Sequence, residues 1–140
     1  MNLTIQPNVA PFLFLNHLIE INGDFISMPI HDQHFEWVYD VHWPNKPNIP
    51  ASLQLETMTQ AAAMYIFLHF KPQYVFVREF VSCKFFRMIT PGLKLCLSLK
   101  LTKHKRSLFY YSGSILDNHT NQIYTKASFI LINPDLTPSR

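Results

Sequence analysis

Hydrophobic and polar residues alternate without fault over residues 93–103. Leu93, Leu95, Leu97, Leu99 and Leu101 point one way and Lys94, Cys96, Ser98, Lys100 and Thr102 the other. That period of two predicts a strand in a sheet with one buried face. Residues 51–70 follow a different pattern: they hold no Gly or Pro, carry three consecutive alanines, and spread Leu53, Leu55, Met58, Met64, Tyr65 and Leu68 over a wide arc. This predicts one long helix, buried on most sides. The other segments read as sheet. Residues 12–22 are rich in strand formers and end at the turn signal Asn22-Gly23-Asp24, so a hairpin with residues 25–30 is expected. Residues 35–41 read as extended, as do 74–88, 108–116 and 122–132, with polar turns at 104–107 and 117–121. Residues 133–140 show no periodicity and read as an irregular tail. One apolar helix among meandering antiparallel strands has to be wrapped by the sheet, since nothing else in the chain could cover it. The expected class is α+β.

The loop over residues 42–50 carries Pro44, Pro47 and Pro50, each of which disfavours helix in the residue before it, so the loop is stiff. Stiffness suits a loop that must hold a side chain in place, and the side chain on offer is His42. Pro50 also suits the start of a helix, where its missing N–H is no loss. The amides near Ala51 and Ser52 are then left free to hold a carbonyl oxygen. Glu56 does not belong on a buried helix unless it is paired, hydrogen-bonded or protonated, and a histidine brought in by the loop is the simplest partner. At about 100° per residue, Ser52, Glu56, Thr59 and Gln60 share one arc, and Ala63, Phe67 and Phe70 continue it. The stripe is polar at one end and apolar at the other, as suits a pocket that does proton chemistry on the head of an acyl chain and houses its tail. From the residues alone a structural reading stands beside this one: His42 caps a loop and Glu56 forms a buried pair with a basic group.

At 140 residues, 48% hydrophobic and 14% aromatic, the chain suits a single domain over residues 1–140 with a full core. Its start lacks a basic region leading into an apolar run, and no apolar stretch reaches membrane-spanning length. A soluble, cytoplasmic protein without membrane association is expected. Twelve Lys and Arg against nine Asp and Glu give +3, concentrated at Lys94, Lys100, Lys103, Lys105 and Arg106. This is either a solvated strand face with its turn or a surface for an acidic partner. Nucleic acid is not expected, because there is no binding motif and no interleaving of aromatic with basic residues. Cys83 and Cys96 form no metal-ligand spacing and read as reduced, structural thiols. His31 and His34 lack a third ligand at suitable spacing and read as surface histidines.

The string His42-Trp-Pro-Asn-Lys-Pro-Asn-Ile-Pro-Ala-Ser-Leu-Gln-Leu-Glu56 resembles the active-site signature H-F-P-G-x-P-x-M-P-G-x-L-x-x-E of the FabZ type of 3-hydroxyacyl-(acyl-carrier-protein) dehydratases. The spacing from His to Glu is the same. Lys84-Phe-Phe-Arg87-Met-Ile-Thr-Pro91-Gly92 is similar to that family's K/R-F-x-R-P-V-x-P-G segment, and Pro11-Phe12-Leu13 matches its early P-F-L. The resemblance covers about residues 5–132. It implies the hot dog fold, a curved antiparallel sheet around one long central helix, in a homodimer or a trimer of dimers. Each active site would lie at the dimer interface, with His42 from one subunit and Glu56 from the other. In that family's reaction His42 would remove a proton from C2, Glu56 would protonate the leaving 3-hydroxyl, an amide near Ala51 would steady the carbonyl, and Gln60 would orient Glu56. Ala51, Ser52, Gln60, Ala63 and Phe67 are the expected substrate contacts; Lys84, Arg87 and Lys94 are the expected contacts with acyl carrier protein. The substrate arrives on the phosphopantetheine of that carrier, so no cofactor and no metal are expected.

The chain departs from the family's pattern in three places. The glycines of H-F-P-G and M-P-G are Asn45 and Ala51, and the early H-R-Y-P reads Asn8-Val9-Ala10-Pro11. Asn45 tolerates left-handed φ and would keep the turn. The methyl group of Ala51 would crowd the approach of a thioester, which suits a variant in a specialised lipid or polyketide pathway. A hot dog thioesterase, and a non-catalytic hot dog subunit that binds acyl carrier protein, are the alternatives.

Overall fold

The structure, a computed structural model, describes residues 1–136. At its centre the helix α2 runs over Ala51–Phe70, as its sequence predicts. Pro50 opens the helix, and its carbonyl accepts from the N–H groups of Leu53 and Gln54, both at 3.0 Å. Lys71 ends it in the left-handed region at φ 50°, returning its N–H to the Phe67 carbonyl at 3.2 Å. Pro72 bars a further turn. Met58, Ala61, Ala62, Met64 and Ile66 are fully buried along its length.

A six-stranded antiparallel sheet wraps this helix. Its strands are β1 Glu20–Asn22, β2 Phe25–Pro29, β3 Phe76–Phe85, β4 Leu95–Lys105, β5 Leu108–Asp117 and β6 Ile123–Ile132, in the spatial order β1-β2-β4-β5-β6-β3. This is the hot dog arrangement. β4 shows the cause: Leu95, Leu97, Leu99 and Leu101 are buried on the helix side while Ser98, Lys100 and Thr102 are exposed. The Tyr111 hydroxyl crosses from sheet to helix and donates to the Ala62 carbonyl at 3.1 Å. Burial raises that phenol's pKa above its ordinary value, which keeps it a neutral donor.

Two segments differ from their sequence patterns. Residues 12–19 pair with no strand and β1 is only three residues long. Phe14, Leu15 and Asn16 are buried consecutively, which a strand with two distinct faces cannot do. Asn16 takes over locally, donating to the Pro29 carbonyl at 2.8 Å and accepting from the Leu18 N–H at 3.0 Å. Residues 35–41, expected to be extended, contain the helix α1 over Glu36–Val41. Phe35, Val38 and Tyr39 are its buried positions, and their i, i+3, i+4 spacing outweighs the strand preference of each residue type. Of the expected irregular tail, Asn133–Leu136 holds a turn without strand or helix; residues 137–140 lie outside the described residues.

Gly113 on β5 faces Leu99 of β4 and Ala127 of β6. A Cβ there would overlap the Ser98 carbonyl oxygen and Leu99 Cδ2 and lie 2.9 Å from Leu99 Cα. Gly113→Ala should therefore lower the unfolding free energy by roughly 1–3 kcal/mol, as overpacking does in a close-packed interior, and denaturant titration would measure it.

Candidate active site

His42 ends helix α1, where its N–H donates to the Val38 carbonyl at 2.8 Å. Its ring stacks on Trp43 at 4.9 Å and 16°, and is exposed. The loop that follows is held at several points. Lys46 N–H to Trp43 carbonyl, 2.9 Å, closes a turn over Pro44-Asn45. Asn45 is not among the residues with positive φ, so this turn does not use the left-handed tolerance expected of it. Ile49 is gripped from both sides: its N–H donates to Ile89 at 2.9 Å, and its carbonyl accepts from Gln54 Nε2 at 2.8 Å. The Gln54 oxygen in turn accepts from the Thr125 hydroxyl. One buried carboxamide thus ties the loop to helix α2 and to strand β6.

Beside this loop a cavity of about 350 Å³ opens, with His42, Trp43, Ala51, Gln54, Phe86 and Arg87 in its wall. The Ala51 and Ser52 amides make no hydrogen bond among the described residues, so the start of α2 offers free donors there. Ser52 is exposed and lines neither this cavity nor the next.

Glu56 is half-buried, and its partner within the chain is Gln60 rather than a histidine. Gln60 Nε2 donates to Glu56 Oε2 at 2.9 Å and to the Phe12 carbonyl at 3.0 Å, while Gln60 Oε1 accepts from the Phe14 N–H at 3.0 Å. The same carboxamide therefore orients the acid and seats residues 12–14. Glu56, Thr59 and Gln60 form the polar end of a second cavity, of about 220 Å³, whose apolar end includes Ala63, Phe67 and Phe76. The polar-to-apolar stripe read from the sequence is present, without Ser52 and Phe70.

In one chain His42 and Glu56 open onto different cavities. Gln54 and Glu56 sit about 160° apart around α2, so the body of the helix separates the two.

The three basic side chains expected to meet a carrier also separate. Arg87 lines the His42 cavity and can donate to the Gln122 amide oxygen through Nε and Nη2, at 3.1 and 2.8 Å with that amide turned to accept. Lys84 lies on the outer face of the sheet, opposite Lys126. Lys94 borders a third groove, of about 690 Å³, with Asp32, Glu36, Cys96 and His119.

Strand β3 forms one edge of the sheet and is exposed along almost its whole length, with Phe76, Val77, Phe80, Val81 and Phe85 at the surface. Phe86 and Met88 extend this apolar edge toward the His42 cavity.

Cys83 and Cys96 are free thiols; burial raises both pKa values, helped at Cys96 by the Asp117 carboxylate, which opposes a nucleophilic role. The rings of His31 and His34 lie 6.0 Å apart, and burial, then His31, lowers the pKa of His34. Among the described residues no three His, Cys, Asp or Glu side chains converge as a metal site would require, and no helix is long and apolar enough to cross a membrane.

Sequence reasoning did not find Gln54, or the segment Gln6-Pro7-Asn8 that walls the Glu56 cavity. Gln54 carried a signal, since a glutamine on a helix read as buried needs a partner. Residues 6–8 carried none, because their position depends on how the chain folds back over α2.

A family model described as the FabA-like domain matches residues 26–126. The chain is 30% identical over 117 residues to the 3-hydroxyacyl-(acyl-carrier-protein) dehydratase FabZ of Brucella melitensis biotype 2, covering 78% of this chain and 72% of that protein. It is 26% identical over 116 residues to the same enzyme of Rhodopseudomonas palustris (strain BisB18), covering 79% and 77%. Among solved structures, the dehydratase heterocomplex ApeI:P from Xenorhabdus doucetiae has a fold similar to this one, with TM-score 0.78 at 14% identity over 94% of this chain and 89% of that one. A putative thioesterase from Silicibacter sp. TM1040 follows at TM-score 0.64 and 13% identity, over 86% and 78%.

Gln60→Leu should cost about 2 kcal/mol or more, because it strands the buried Phe14 N–H and the Phe12 carbonyl without partners. Urea unfolding would show the loss. An unchanged midpoint would mean that residues 12–14 hold their place by packing alone.

Proposed function

This chain belongs to the FabA-like family as a divergent member of the FabZ type, and on that premise we propose that it removes water from 3-hydroxyacyl thioesters carried on acyl carrier protein, giving trans-2-enoyl thioesters. The reading rests above all on Glu56: a carboxyl group held by Gln60 at the polar end of an otherwise apolar cavity. Such a pocket suits an acid that must give up its proton to a leaving hydroxyl while an acyl chain lies beside it.

The reaction needs three groups. His42, with an imidazole that makes no hydrogen bond among the described residues, takes a proton from C2. The electron pair of that C–H bond forms the C2–C3 double bond, the C3–O bond breaks, and Glu56 protonates the departing hydroxyl so that it leaves as water. An amide at the start of α2, beside Ala51, steadies charge on the thioester carbonyl. Proton exchange with solvent then restores His42 and Glu56. Thr59 spends its hydroxyl on the Glu56 carbonyl at 3.0 Å, so it shapes the pocket without joining the chemistry, and Ala63 and Phe67 flank the acyl tail.

Each chain carries half of this apparatus on either side of α2, and a homodimer would bring His42 of one subunit to Glu56 of the other. The exposed apolar edge of β3 favours such pairing, since a ten-residue edge strand, paired only with β6 and carrying large exposed apolar side chains, is a surface that proteins ordinarily cover. A trimer of dimers is compatible with the same interface. Arg87, in the wall of the His42 cavity, would meet the acidic carrier. A role in specialised lipid or polyketide synthesis agrees with the methyl group of Ala51 at the site where the family's pattern has glycine.

His42→Ala and Glu56→Gln should each slow dehydration by roughly two to four orders of magnitude without unfolding the protein, read as loss of water by mass on a 3-hydroxyacyl carrier-protein substrate. Release of the acyl group would instead mark a thioesterase, and no change a binding subunit. Mixing the two inactive variants under subunit exchange should restore part of the rate; no recovery would place the site within one chain.

Arg87→Glu should slow carrier-protein substrates more than small pantetheine thioesters, with the difference shrinking in high salt. An equal loss on both substrates would make Arg87 a structural residue.

A further inference from the structure

Hydrogen-bond accounting in the Glu56 cavity leaves few polar groups unspent. Gln60 uses its carboxamide on Phe12, Phe14 and Glu56, and Thr59 uses its hydroxyl on the helix backbone. Gln6 uses its own within the N-terminal segment: Nε2 donates to the carbonyls of Leu3 and Asn8, each at 2.9 Å, and Oε1 accepts from the Asn8 N–H at 2.7 Å. That knot fixes the backbone of residue 8 in the cavity wall through both its N–H and its carbonyl. Asparagine in a loop commonly spends its side chain on nearby backbone. Asn2, Asn16 and Asn133 do so here, accepting from Thr4, Leu18 and Asp135 two residues on. Asn8 does not. The carboxamide of this half-buried residue makes no hydrogen bond among the described residues, while Asn22, Asn45 and Asn121, which also keep free carboxamides, are exposed.

We propose that Asn8 is a substrate-contact residue whose carboxamide hydrogen-bonds the 3-hydroxyl of the acyl chain alongside Glu56. The inference rests on the dehydratase reading and deepens it. Past Glu56 the cavity wall is apolar, with Ala63, Phe67, Val75, Phe76 and Leu131. A polar substituent on a bound acyl chain therefore finds two open partners in the lining, the second oxygen of Glu56 and Asn8. A carboxamide offers a hydroxyl both a donor and an acceptor. It can hold the oxygen in place while Glu56 delivers its proton, an interaction that chains without the hydroxyl do not make. Where the family's pattern begins H-R-Y-P, this chain places an uncharged amide that can both donate and accept.

Binding tests this without turnover. In the Glu56→Gln protein, which keeps the acceptor for Gln60, Kd values would be measured by calorimetry for a 3-hydroxyacyl pantetheine thioester and for the saturated acyl thioester of equal length. The hydroxylated ligand should bind roughly two- to tenfold more tightly, as one hydrogen bond warrants. Adding Asn8→Ala should cut that preference severalfold and leave the saturated ligand's Kd unchanged. The melting temperature should hold, since the bonds of Gln6 reach only the backbone of residue 8. A preference undiminished by Asn8→Ala, an equal weakening of both ligands, or the lack of any preference at the outset would each overturn the proposal. A preference that depends on Asn8 in a protein whose wild type releases no water would keep Asn8 as a hydroxyl-binding residue and defeat the dehydratase reading instead.

Discussion

A helix of twenty residues with hardly any solvent face sets the terms for everything around it. Each polar side chain it buries must find a partner inside the protein, or the cost of desolvation goes unmet. Thr57 and Thr59 meet that demand within the helix, through the carbonyls of Leu53 and Glu56. Gln54 and Gln60 cannot, and reach outward. Gln54 grips Ile49 and Thr125, which fixes the proline-rich loop that follows His42; Gln60 grips Phe12 and Phe14 and the carboxyl of Glu56. Gln60 thus also orients Glu56, and Gln54 also anchors the far end of the loop that begins at His42.

The same geometry explains why His42 and Glu56 of one chain line separate cavities. Gln54 and Gln60 leave the helix on different sides, and each carries its loop with it. The sheet closes over most of α2 but stops at β3, an edge strand whose apolar side chains stay exposed. A second chain laid against that edge would cover the least satisfied surface of the molecule. On the proposed reading, the contact that covers this edge would also complete the site.

Much of this was legible in the sequence, for identifiable reasons. The leucine alternation of β4 and the unbroken Gly- and Pro-free run of α2 are local patterns with no competing reading, and both elements lie where those patterns put them. The reading failed where residue type and spacing disagree. Phe35, Trp37, Val38 and Tyr39 are good strand formers, yet the buried members fall at helical intervals, and burial decides. Residues 12–19 look like a strand by composition, but three consecutive buried positions require irregular backbone. At the site, His42, Glu56 and Gln60 could be named from spacing and Ala63 and Phe67 from the helical stripe. The Gln6 knot could not, because its meaning appears only when residues 6–8 are set beside a helix that begins more than forty positions later.

The missing glycines bear on what kind of divergence this chain represents. It keeps only three. Gly23 and Gly92 have φ of 59° and 90°, where a side chain would be strained, and Gly113 lies where a Cβ would strike the neighbouring strand. Every retained glycine therefore answers a backbone need. Asn45 and Ala51, where the family pattern has glycine, adopt no left-handed φ, so the turn and the helix start are made without one. What Ala51, and Asn8 where the family pattern has His, change is the space and polarity of the walls: a methyl group beside the free amides at the start of α2, and an asparagine in the lining of the Glu56 cavity. On the proposed reading, divergence that spares the scaffold and alters the cavity linings would act on which acyl chain fits, and it leaves Glu56 to Gln60 and the loop after His42 to Gln54.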